Sequence, residues 1–252
     1  MRIPFFGGNP FANFFQTRRV PIIGLPASGK TNLWLSIALF LQKRGAGSVV
    51  EGQELFANYQ AQIFKAGRIV EANPMGQARP LCLEITRIPS VPGSSSFKIS
   101  SGDISGLDVR GRTSSFTDLL QNVRAIVHLL DVTAESDLGD HGALSAQCAE
   151  QLRPIFDAVA TAKLGNNFKR VIFVVSKKDM IGDAESAVTA AFGNAMEFVR
   201  PCLTKHKVAW NEQPIFVDSL GIARYYCQHN DKPKFPDEAP LSRLIEEIHR
   251  SL

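Results

Sequence analysis

Residues 24–31 read Gly24-Leu25-Pro26-Ala27-Ser28-Gly29-Lys30-Thr31, which fits GxxxxGK[ST]. The flanks fit as well as the letters. Val20-Pro21-Ile22-Ile23 is a short apolar run suited to a strand, and Asn32 to Leu41 is apolar almost all round, as a buried helix is. A loop between such elements turns backbone N–H groups toward one anion at the positive end of a helix dipole. Gly24, Ala27, Ser28, Gly29 and Asn32 are therefore expected to line a phosphate site, with Lys30 reaching the outer phosphates and the Thr31 hydroxyl holding Mg²⁺.

Strand and helix alternate along the rest of the chain. Helices are predicted over 30–43, 51–65, 114–123, 143–163, 183–206 and 241–252, and strands over 20–23, 80–89, 96–102, 124–131, 170–176 and 214–218. Gly45-Ala46-Gly47 closes the first helix, and Asn73-Pro74-Met75-Gly76 marks a loop. This order predicts an α/β three-layer sandwich: a mostly parallel sheet covered on both faces, with one antiparallel edge hairpin at 80–102. Ligands of such sheets bind at the carboxyl ends of the strands.

Composition narrows the classes. The chain has 252 residues, is 44% hydrophobic and carries a net charge of +4, with its basic residues scattered. No strong nucleic-acid signal follows from that pattern. Cys82, Cys148, Cys202 and Cys227 form no CxxC, so neither a metal site nor a disulfide framework is expected, and a reducing cytoplasm is the default compartment. No stretch is long enough to span a membrane. Five phenylalanines fall within residues 1–15, broken by glycine and proline. Residues 1–19 read as an arm packing on the domain's own surface, in preference to a partner- or membrane-docking arm. Residues 20–252 read as a single domain with an inserted helix and loop around 51–79.

Two further motifs follow apolar strands. Asp103-Ile104-Ser105-Gly106 offers a carboxylate that can bind a metal through water and a glycine N–H that can bond a terminal phosphate oxygen. Ser176-Lys177-Lys178-Asp179 ends the 170–176 strand. The chain here resembles P-loop GTPases of the Ras-like, translation-factor-related class, which carry NKxD or TKxD at this place. The resemblance implies that Asp179 accepts two hydrogen bonds from guanine and that the Lys177 stem packs on the base. A carboxylate, acceptor-only, suits two adjacent donors. Ser176 stands where asparagine is usual, and its hydroxyl bonds the P-loop less extensively than an amide. Asp218-Ser219-Leu220-Gly221 is similar to the loop whose backbone N–H contacts guanine O6, which implicates Ser219 and Leu220.

The chain also departs from that family. Leu107 occupies the position of the glutamine that orients the attacking water, so intrinsic hydrolysis is expected to be slow. Asp108, Arg110, Arg112 or a partner's arginine are the candidate substitutes. No serine or threonine occurs from 50 to 84, and Thr86 lies inside a predicted strand, which leaves the first switch without its Mg²⁺-binding threonine. The long gap from Lys30 to Asp103, with the quoted motifs, is similar to the bacterial double-GTPase type.

The resemblance thus implies a guanine-nucleotide switch using GTP/GDP and Mg²⁺. Lys30 and Asp108 are its catalytic candidates, Thr31 and Asp103 its metal ligands. A regulatory or effector protein would be read by the segments around 67–79 and 103–116. Two alternatives stay open: a pseudo-GTPase interaction module that binds nucleotide without significant turnover, and a P-loop ATPase.

Overall fold

The computed structural model describes residues 19–66, 81–86, 88, 96–101, 106–111, 114–133, 138–161, 167–227 and 236–252. Its elements are β1 (Arg19–Gly24), α1 (Lys30–Lys43), β2 (Gly47–Glu51), α2 (Gln53–Ala66), β3 (Leu81–Ile85), β4 (Phe97–Ser101), α3 (Gly106–Gly111), α4 (Ser114–Asn122), β5 (Ala125–Leu130), α5 (His141–Thr161), β6 (Arg170–Ser176), α6 (Lys178–Ile181), α7 (Glu185–Lys205), β7 (Ala209–Trp210), β8 (Ile215–Val217), α8 (Ser219–Cys227) and α9 (Ala239–Arg250). A 3₁₀ turn at Gly182–Ala184 joins α6 to α7.

The strands form one sheet in the order β2-β3-β4-β1-β5-β6-β7, with β8 also paired to β6. From β4 across β1, β5 and β6 to β7 and β8 every pairing is parallel. The expected hairpin is present as antiparallel β3–β4. The structure extends that side by one strand, since β2 pairs antiparallel outside β3. Arg19, assigned to the arm on sequence grounds, is instead the first residue of β1 and pairs with Lys98. The arm itself lies outside the described residues.

Both faces of the sheet are covered, and the side chains of its central strands alternate between two cores. Val20 and Ile22 of β1, Val127 and Leu129 of β5, and Ile172 and Val174 of β6 pack with α1, α2, α8 and α9. Ile23, Ile126, Leu130, Val171, Phe173 and Val175 face the opposite way, toward α3, α4, α5 and α7. α1 is buried from Asn32 to Leu41, and the Trp34 indole N–H donates to Ile99 O at 3.1 Å, which pins the helix to β4. His128 is a polar exception inside β5. Its Nε2 lies 2.9 Å from Gln151 O, and burial pulls its pKa down to about 4, so it is neutral and donates to that carbonyl.

Because β1, β5, β6 and β8 run in one direction, Gly24, Leu130, Ser176 and Val217 end at one edge of the sheet. β4 joins them at Ser101. Thr86 follows β3, which runs the other way, so it sits at the opposite edge and bonds Ala46 O. It is remote from the P-loop, as its sequence position implied.

Candidate functional site

Residues 25–29 connect β1 to α1 as a tight turn, with Ser28 N–H donating to Leu25 O at 3.3 Å and Leu33 N–H to Gly29 O at 2.9 Å. Ala27 has φ 60° and Gly29 φ 90°. Left-handed residues interleaved with right-handed ones are the backbone signature of an anion-binding nest. Glycine adopts this geometry without cost; Ala27 does not, and strain held at such a loop belongs with function. No acidic residue occupies the first turn of α1, so its positive end is uncompensated.

Lys30 Nζ curls back over the loop and donates to Gly24 O at 3.0 Å and Leu25 O at 2.8 Å. Burial lowers its pKa from 10.5 to about 8. The carbonyls offer partial charge, not a full counter-ion, and an anion in the loop would supply one. Thr31 stands partly buried in the first turn of α1. Asn32 is buried, and its Oδ1 has no hydrogen-bond partner among the described residues.

Gly106 lies directly against this loop. A Cβ there would stand 2.3 Å from Pro26 N and 2.5 Å from Leu25 C, so only glycine permits the approach. The DxxG glycine is thus brought to the P-loop, as the motif order implied. Asp103 and Arg112 lie outside the described residues, as do the side chains of Leu107 and Asp108 in α3. Arg110 is exposed and forms a 3.8 Å ion pair with Glu150.

β6 delivers the second half of the site. The Ser176 hydroxyl donates to Ser28 O at 2.6 Å, tying the SKKD turn to the P-loop. Lys177 has φ 60°, and Met180 N–H bonds its carbonyl at 2.9 Å, which closes the turn that carries Asp179. The pairing of Ser176 with Val217 sets β8 beside β6, so Asp218 arrives next to this turn. Asp218 is the capping residue of α8, its Oδ1 accepting from Gly221 N–H at 2.7 Å. Its carboxyl also meets that of Asp179. Burial raises the Asp218 pKa and Asp179 raises it further, against the Gly221 N–H and Arg224.

Ser219 is buried at the start of α8. Its carbonyl meets the Ser36 hydroxyl, which also lies 2.8 Å from Asn32 O. The base-loop candidate is therefore joined to α1, and Leu220 follows it in the same turn of α8. Asp131, which the sequence reading left as the end of a strand, also belongs to this cluster. Its carboxylate is paired with Lys177 at 2.5 Å. An acidic residue at the carboxyl end of a central strand was the available signal.

The assembly thus has a phosphate-type loop, a glycine pressed on it, and an acidic turn beside it. No family model and no curated protein matches the chain. Among solved structures it is similar to the GTPase-like domain of Ski7 from S. cerevisiae, a structure bound to GDP and inorganic phosphate. The TM-score is 0.50 at 11% sequence identity, covering 96% of this chain and 52% of that one. The chain has the fold of a GTPase-like domain. It spans about half the length of the Ski7 chain it matches. Among the described residues no helix is long and apolar enough to cross a membrane.

Proposed function

We propose that this GTPase-like domain binds a guanine nucleotide and acts as a switch with slow, partner-stimulated hydrolysis of GTP. The observation that carries the reading is the Ser176–Ser28 hydrogen bond. It sets an acidic turn at a fixed distance from a P-loop, which is what joint recognition of a base and its phosphates requires. GDP and inorganic phosphate in the Ski7 structure support the same ligand class.

In this reading the backbone of 25–31, through its N–H groups from Ala27 onward, and the Lys30 ammonium bind the phosphates and favour the charge that develops as water attacks in line. Thr31 and Asp103 would hold Mg²⁺, and Thr31 stands in the first turn of the helix that the phosphate loop opens. The ion, when bound, neutralises charge on the terminal phosphate oxygens. Asp179 accepts from the guanine N1–H and amine, and the Ser219–Leu220 backbone faces O6. Leu107 can neither donate nor accept, so water is oriented by Asp108 or by an arginine of this chain or a partner. Leu107 also favours the second reading, a pseudo-GTPase that binds without turnover. The motif pair at 24–31 and 103–106 is similar to that of the double-GTPase type, the subtype this reading proposes. The segments around 67–79 and 103–116 would present nucleotide state to a protein partner.

The test is calorimetry of the purified chain with GTP, GDP and ATP in the presence of Mg²⁺, with phosphate release followed in the same samples. Guanine-selective binding with slow release is expected. Selective binding with no release, partner or not, would leave the pseudo-GTPase; equal binding of ATP would overturn both.

A further inference from the structure

Asp131 follows the last residue of β5 and is only 4% exposed. A carboxylate so far from water requires partners. Its Oδ1 accepts from the Thr133 N–H at 3.0 Å and the Thr133 hydroxyl at 2.7 Å, and its Oδ2 pairs with Lys177 Nζ at 2.5 Å. The Asp131 peptide is gripped as well. Gln151 of α5 accepts from its N–H at 2.7 Å and donates to its carbonyl at 2.5 Å, and Gln147 donates to the same carbonyl at 3.0 Å. The residue is therefore fixed through its backbone and through Thr133, independently of Lys177.

Lys177 is the member that needs holding. It sits at φ 60°, a strained conformation that a non-glycine residue keeps only where its surroundings impose it. It also heads the turn that carries Asp179. With its ammonium on Asp131, its stem spans from the SKKD turn to the end of β5. Its charge is neutralised there, so what it offers a ligand is the methylene stem.

We propose that Asp131 is a positioning residue for base recognition, latching Lys177 so that the left-handed turn presents Asp179 and the lysine stem to a purine ring. This rests on the guanine-binding reading above. Among the described residues Asp131 bonds no part of the P-loop. Its loss should therefore fall on the base-dependent share of binding and spare the phosphate-dependent share.

The experiment titrates the full chain and the Asp131→Asn variant with GTP and with inorganic tripolyphosphate, each with Mg²⁺. GTP affinity is expected to fall about tenfold or more, with tripolyphosphate affinity changed less than about twofold. The same comparison is then made in a Lys177→Met background, which keeps the stem and removes the ammonium. There Asp131→Asn should add little, since the latch is already gone. Unchanged GTP affinity, parallel losses for GTP and tripolyphosphate, or fully additive losses would each overturn the latch. Should Asp131→Asn fail to fold, Lys177→Met carries the test, its native side chain being 26% exposed: a base-selective loss supports the latch and its absence overturns it. A wild-type chain that binds tripolyphosphate yet does not prefer GTP to ATP would instead defeat the guanine reading, and the latch would fall with it.

Discussion

The Ser176 hydroxyl donates to the Ser28 carbonyl across 2.6 Å, joining the strand that delivers Asp179 to the loop that carries Lys30. Both residues are fully buried. Ser176→Ala removes the donor and leaves the Ser28 carbonyl unsatisfied away from water. Nucleotide affinity is expected to weaken by about 1–3 kcal/mol, read by calorimetry. Unchanged affinity would mean that the two half-sites are aligned by the sheet alone.

Gly106 is expected to tolerate no side chain. A methyl group would press on the Leu25–Pro26 peptide, which is backbone and cannot rotate away. Gly106→Ala should lower thermal stability by about 1–3 kcal/mol, as overpacking does, and weaken triphosphate binding as well. A variant that melts and binds like the wild type would show that α3 can leave the P-loop freely.

The pH dependence of binding follows from Lys30, whose pKa burial lowers to about 8. Pairing with phosphate oxygens demands the ammonium. Below about pH 8 that charge is already present; above it, each binding event takes up a proton. Affinity should therefore fall with rising pH, by at most about tenfold per unit. Calorimetry in buffers of different ionisation heat detects the uptake, and Lys30→Arg, charged throughout, should lose the slope. For the unliganded fold the sign is reversed. Between about 8 and 10.5 the unfolded lysine holds a proton that the folded one releases, so this group's contribution to stability rises with pH. A flat affinity profile for the wild type would contradict the role assigned to Lys30.

Some of this architecture could be read from the chain and some could not. α1 and β6 have the bounds expected of them, because each is an apolar run closed by a motif: Lys30 opens one and Ser176 ends the other. β2 was missed. Its sequence, Gly47-Ser48-Val49-Val50-Glu51, is half-exposed at a sheet edge and has no buried face to impose alternation. β7 has two residues, too few for any period. No element is predicted over 219–227, although Asp218 stands at the cap position of α8; the likeness of Asp218-Ser219-Leu220-Gly221 to a base loop overshadows that signal. Within the site, the P-loop, Gly106 and the SKKD turn lie together in the fold, and their order after successive strands is legible in the chain. That order gives no view of the Asp131–Lys177 pair or of Asp218 against Asp179. Those contacts join residues 46 and 39 positions apart and arise only when the strand ends align.

The most direct test of base recognition is the affinity of Asp179→Asn for GTP and for XTP, measured beside the wild type. The carboxylate accepts from two guanine donors, whereas an amide presents one acceptor and one donor face, which suits the xanthine carbonyl. The variant is expected to lose GTP affinity by at least about tenfold and to gain affinity for XTP. A variant that keeps the wild-type preference for GTP over XTP would contradict this, because Asp179 would then not be the residue that reads the base.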